Sequence, residues 1–130
     1  MIVVDASVVI EVLLQTDVGR SITGTLLDGR DTLHAPHLLD VEVVQVLRRF
    51  VLRREVYEAR AREAIDTLRV FPITRYPHEP LLGRIWALRE NLTAYDAAYV
   101  ALAEGLRSPL VTRDRRLASA PGTTATVQVL

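Results

Sequence analysis

Ile2-Val3-Val4-Asp5-Ala6-Ser7 is the stretch on which the fold turns. Ile2, Val3 and Val4 form a β-branched run of strand character that stops at an acid, and residues 6–14 continue in a helical pattern. Outward from there the alternation repeats. A polar break at Gln15–Asp17 precedes a second helix at 18–28, and Thr32–Ala35 is the next short strand. From His37 to Arg54, Leu39, Val43, Val46, Leu47, Phe50 and Val51 recur at helical spacing, with Pro36 just ahead as a residue that can precede or begin a helix. Residues 55–69 carry Tyr57, Ala61, Ala64, Ile65 and Leu68 on one side and complete a helical hairpin. Val70–Thr74 reads as a third strand, and His78–Glu90 and Ala94–Leu106 as helices. Pro109–Val111 reads as a fourth strand, Arg115–Ala118 as a short helix and Ala125–Val129 as a closing strand. Strands alternating with helices predict an α/β fold whose parallel sheet is covered on both faces. In such folds ligands bind beyond the carboxyl ends of the strands. Asp5 closes the first strand, and Asp114 lies just past the fourth.

The composition narrows the chemistry. A chain of 130 residues suits a single domain, 1–130, and 49% hydrophobic residues supply a core that the 5% of aromatics cannot dominate. Without Cys there are no disulfides and no thiolate metal sites, so a metal would be held by oxygen or by His34, His37 and His78, which show no ligand spacing. No apolar run spans a membrane, and the N-terminus is not that of a signal peptide, so a soluble, cytoplasmic protein is expected. Net charge is zero, yet all sixteen basic residues are Arg. GC-rich codon usage explains that bias, and so does a need for guanidinium groups that fork onto phosphates.

Four acids stand out, each with a structural reading beside the functional one. Asp5 suits the N-cap of the helix that follows it. Glu42, among Leu38, Leu39 and Val46, is costly to bury unless paired or metal-bound, and Arg49 is a candidate partner. Asp40, two residues earlier, points elsewhere and reads as a first-turn helix acid, with the ligand position in place of Glu42 as its alternative. Thr93 followed by Asp96 is a capping-box pattern, and Asp114 suits the cap of the last helix. Taken together, two acids end strands and two sit on helices that can flank those ends. Four convergent carboxylates repel one another unless a cation lies between them. All-oxygen ligands point to Mg2+, or Mn2+ in its place, rather than zinc.

The set Ile2-Val3-Val4-Asp5-Ala6-Ser7, Ala35-Pro36-His37-Leu38-Leu39-Asp40-Val41-Glu42, Leu92-Thr93-Ala94-Tyr95-Asp96-Ala97-Ala98-Tyr99 and Val111-Thr112-Arg113-Asp114 resembles the PIN-domain family, and within it the VapC-type toxins of type II toxin–antitoxin systems. The stretches come in the family's order and span essentially the whole chain. The resemblance implies a three-layer α/β/α fold with a short, mainly parallel central sheet. It implies a metal-dependent endoribonuclease whose acidic positions are Asp5, Glu42, Asp96 and Asp114, with Asp40 off those positions. Ser7 and Thr112 match the family's hydroxyl residues and would hold the carboxylates in place. Asp5 and Asp96 are expected to bind metal most directly, and Glu42 and Asp114 directly or through water. The resemblance further implies a homodimer and a cognate antitoxin docking a helix and an extended tail near the 37–69 hairpin.

Arg113, Arg115 and Arg116 are candidates for RNA phosphates, with a solvated helix start as the alternative, and Arg84 and Arg89 are weaker ones. Trp86 and Tyr57 read as core or interface residues rather than base-stacking platforms. Two other functions fit the same acids. One is a DNA nuclease or phosphatase on a similar sheet, although Asp5-Ala6-Ser7 lacks the second acid that aspartyl-phosphate enzymes use. The other is a non-catalytic binding module whose acids are caps.

Overall fold

The opening β-branched run forms the middle of a five-stranded sheet in the structure, a computed structural model that describes residues 1–130. In chain order the elements are β1 (Ile2–Val4), α1 (Ala6–Leu13), α2 (Asp17–Leu26), β2 (Leu33–Pro36), α3 (Leu38–Leu52), α4 (Glu58–Val70) and β3 (Ile73–Tyr76). A 3-10 turn (Glu79–Leu81) then leads to α5 (Leu82–Ala87), α6 (Ala94–Leu106), β4 (Leu110–Thr112), α7 (Arg115–Ala118) and β5 (Val127–Val129). The strand order is β3-β2-β1-β4-β5 and every pairing is parallel.

That order creates a switch point. From β1 the chain moves outward through β2 to β3, then returns to place β4 on the other side of β1. Connections leaving β1 and β4 therefore part in opposite directions, which opens a crevice beyond their carboxyl ends. Asp5 and Asp114 sit there, each immediately before a helix. The sheet is covered in layers. α1, α3 and α4 pack together, while α6 lies across β1, β2 and β4 with α5 against it. α6 is buried all round from Ala97 to Ala103, and its alanines allow close approach to the sheet. No helix is long and apolar enough to cross a membrane.

Prolines account for the main departures from the expected elements. The third strand is Ile73–Tyr76 rather than Val70–Thr74, because α4 runs on to Val70. Phe71, extended at φ −65° and ψ 134°, stands before Pro72, which disfavours helix in its predecessor. The expected helix 78–90 opens as a 3-10 turn around Pro80 and is helical only from Leu82 to Ala87. Pro36 ends β2, one residue past the expected Thr32–Ala35, and precedes α3, which begins at Leu38. The α3–α4 hairpin forms, with Leu39, Val43, Leu47, Ala61, Ala64 and Leu68 buried along it. Tyr57 and Trp86 are not core residues: they are 88% and 69% exposed, and Arg89 stacks on the Trp86 ring at 4.6 Å.

Candidate active site

Asp5 is held from three directions. It caps α1 by accepting from the Val8 amide at 3.3 Å. The Ser7 hydroxyl donates to its Oδ1 at 2.5 Å, and the Thr112 hydroxyl donates to its Oδ2. The two hydroxyls in turn accept backbone N–H groups, Ser7 from Arg113 at 2.9 Å and Thr112 from Asp114 at 3.0 Å. Each amide–hydroxyl–carboxylate chain is polarised along its length, which strengthens both of its bonds. The result ties the β1–α1 junction to the β4–α7 junction. It also lets Asp5, only 7% exposed, stay inside without a basic partner. Burial nevertheless pushes its carboxyl above the usual carboxylate range, with the bonds from Ser7, Thr112 and Val8 pulling the other way.

Glu42 and Asp96 face the same region from α3 and α6. Glu42 takes its one hydrogen bond from the Tyr99 hydroxyl, at 2.6 Å to Oε1, and not from Arg49. Burial raises its carboxyl, the Tyr99 bond opposes that, and the charges of Asp96 and Asp5 raise it further. The Tyr99 phenol is itself pushed far up by burial and by Glu42, so it remains a donor. Asp96 is raised by burial and by the charge of Asp114, against Thr93 and Arg116. Thr93 caps α6 by accepting from the Asp96 amide at 3.1 Å, but the Asp96 carboxylate does not bond back to the Thr93 amide. Half of the capping box is thus absent, and that carboxylate is left to the crevice.

Asp114 behaves differently. It caps α7 through the Arg116 amide at 2.9 Å, and the Arg116 guanidinium forks onto its two oxygens at 3.1 and 2.8 Å. Those bonds hold its carboxyl below the usual range. Arg116, an expected phosphate ligand, is therefore paired within the chain. Arg113 lies 3.9 Å from Glu11, while Arg115 is exposed and has no ion pair. Asp40 turns away from the crevice and pairs with Arg75 at 2.8 Å. Arg84 bonds Glu104, away from the acids. A recess of about 340 Å³ beside Asp96 is lined by Asn91, Thr93, Arg116 and Ser119.

The four acids form a row of electrostatic neighbours, Asp5–Glu42–Asp96–Asp114, rather than a closed cage. No three acid or histidine side chains are drawn together at metal-binding geometry. In kind the donors suit a hard cation, since they are oxygens only and three of them are raised by burial. The residue that sequence reasoning left without a role is Tyr99. Its position three residues after Asp96, on the same helical face, was the available signal.

A parallel α/β/α sandwich with carboxylates at the carboxyl ends of its switch-point strands belongs to the open α/β folds, which bind their ligands in that crevice. The chain belongs to the PIN domain family, whose model matches residues 2–122, and its relatives place it in the VapC branch. It is 48% identical over 124 residues to Ribonuclease VapC1 of Mycobacterium tuberculosis, covering 92% of this chain and 90% of the relative. It is 38% identical over 130 residues to Ribonuclease VapC12 of the same species, covering 100% and 99%. The crystal structure of PAE2754 from Pyrobaculum aerophilum matches with a TM-score of 0.71 at 25% identity, over 98% of this chain and 83% of that one. VapBC2 from Rickettsia felis, solved bound to a DNA fragment from its promoter, shares the fold with a TM-score of 0.72 at 11% identity, over 99% and 98% of the two chains.

Proposed function

We propose that this chain is the toxin of a toxin–antitoxin pair, an endoribonuclease that hydrolyses RNA with the help of a divalent cation. The observation that carries the reading is the set Asp5, Glu42 and Asp96: three carboxylates raised by burial, Asp5 and Glu42 held by neutral hydroxyls, and none of the three in an ion pair. Such a set attracts a cation, and the VapC relatives supply the substrate class. Mg2+ is the expected ion, with Mn2+ able to replace it. Asp5 and Asp96 would hold it directly, and Glu42 and Asp114 directly or through water. When bound, the ion supplies a more acidic water and offsets negative charge on a phosphodiester.

The chain's own residues do the rest. Ser7 and Thr112 keep Asp5 oriented by donating to it, and their bonds oppose the upward pull of burial on its carboxyl. Arg113, Arg115 and Arg116 provide positive charge beside the acids for RNA phosphates, Arg116 once its pair with Asp114 opens. The antitoxin site we assign is the groove of about 380 Å³ between α3 and α4. Val44, Leu47, Val51, Leu52, Ala61 and Ile65 line it, and charged residues form its rim. Val44 and Leu52 are exposed there, as suits an amphipathic helix laid into the groove. A homodimer in the cytoplasm completes the reading.

Cleavage of RNA, DNA and a small phosphate ester by the purified protein, with Mg2+ or Mn2+ and with EDTA, tests it. RNA alone is expected to be cut, EDTA to stop the reaction, and Asp5→Asn or Asp96→Asn to abolish it in a folded protein. Full activity of either variant, or undiminished activity in excess EDTA, would refute the cation mechanism. Cleavage of DNA or of the ester instead of RNA would replace the substrate.

A further inference from the structure

The carboxylate of Glu42 sits at the end of a flexible side chain, yet one contact alone fixes it. That contact is the Tyr99 hydroxyl at 2.6 Å, from a residue 57 positions away. Tyr99 is 2% exposed, so its ring cannot drift, and it leaves the same face of α6 as Asp96. The hydroxyl takes Oε1 and leaves Oε2 without a partner among side chains or backbone. Its character matters as much as its place. An Arg in that position would hold Glu42 and also neutralise it, as Arg116 does for Asp114. A phenol holds it without bringing a charge of its own. The same choice of a neutral donor recurs at Asp5, where Ser7 and Thr112 are the partners.

We propose that Tyr99 is a positioning residue for Glu42: its hydroxyl fixes one carboxylate oxygen and presents the other to the divalent cation. α6 thereby sets two acids at once, its own Asp96 and, through Tyr99, the Glu42 of α3. This inference rests on the nuclease reading given above.

Tyr99→Phe removes the hydroxyl and keeps the ring. Mn2+ binding to the purified protein without RNA is measured by calorimetry, Tm is measured in EDTA, and kcat and KM are measured on RNA. The variant is expected to bind Mn2+ roughly tenfold more weakly. Its kcat is expected to fall while KM for RNA stays near that of the parent, with a Tm in EDTA close to the parent's. In a Glu42→Gln background, Tyr99→Phe is expected to add no further loss of Mn2+ affinity, because the two side chains act as one unit. Unchanged Mn2+ affinity and kcat in Tyr99→Phe overturn the inference. So does a loss that simply adds to that of Glu42→Gln, as a purely structural role would give. Should Tyr99→Phe not fold, Tyr99→Met fills most of the ring's space without a donor and carries the same expectations and the same overturning results. If the parent neither binds Mn2+ nor cuts RNA, the nuclease reading falls and takes this inference with it. If the parent does both and Tyr99→Phe matches it, the inference alone falls.

Discussion

Thr112 shows most clearly how single side chains build this centre. It is fully buried, donates to Asp5 and accepts from the Asp114 amide. Thr112→Val keeps the shape and removes both bonds, leaving a buried carboxylate oxygen and an amide without partners. The expected loss of stability is about 1–3 kcal/mol, read from the urea midpoint. The companion change Ser7→Ala strands the Arg113 amide and is expected to cost a similar amount. The sequence disclosed these residues unevenly. Asp5, Asp96 and Asp114 were visible because strand ends and helix starts are local features. Glu42 was visible as an acid among apolar neighbours, but its bond to Tyr99 crosses the fold and its partner was expected to be Arg49. The pairing of Arg116 with Asp114 was hidden for another reason: composition marks a guanidinium as a phosphate ligand without showing that an acid two residues away already occupies it.

Among the elements, α2 and α6 give opposed tests. Thr16 caps α2 by accepting from the Gly19 amide at 2.9 Å, and Gly19 lies so close to α1 that an added Cβ would fall 1.9 Å from the Glu11 carbonyl oxygen. Gly19→Ala must therefore push the two helices apart, at an expected cost of at least about 1–3 kcal/mol. Gly24, in the same helix, has open space around the corresponding position. Gly24→Ala is expected to stabilise by about 0.5–1 kcal/mol through helix propensity. Thermal melts of the two variants should move in opposite directions. On α6, Glu104 accepts from Arg84 at 2.7 and 3.1 Å, from the Thr123 hydroxyl at 3.0 Å and from the Thr124 amide at 2.9 Å. The Arg84 bonds, helped by Thr124 and Thr123, hold its carboxyl down at about 2. A carboxyl lowered by folding adds stability above its unfolded value of about 4.3, and that stability is lost as pH falls toward the folded value. Glu104→Gln should flatten the acid side of the stability curve between about pH 4 and pH 2. The sequence located α6 to the residue because its helical pattern is uninterrupted and Thr93 supplies a clear start. It misplaced β3 and lengthened the helix before α6 because Pro72 and Pro80 override apolar patterning.

At the scale of the whole molecule, the acidic crevice sets function against stability. Asp5, Glu42 and Asp96 are raised by burial, and their mutual repulsion adds to the strain on Glu42. Neutralising one of them should steady the cation-free protein, so Asp96→Asn is expected to melt higher than the parent in EDTA. Mn2+ should then raise the parent's Tm and have little effect on the variant's, since binding to the folded state adds about 2.7 kcal/mol at a hundredfold excess over Kd. A parent Tm indifferent to Mn2+ would contradict this. The α/β/α layering was legible from the alternation of short apolar runs with helical stretches. The switch point was not, because strand order follows from long-range pairing such as Val3 with Leu110. The bond from Thr112 to Asp5 spans 107 residues. During synthesis Asp5 therefore emerges 107 residues ahead of the hydroxyl that closes the bond. The acidic centre is thus completed only after the stretch joining its two halves has been made, and a chain interrupted between Asp5 and Thr112 would lack it.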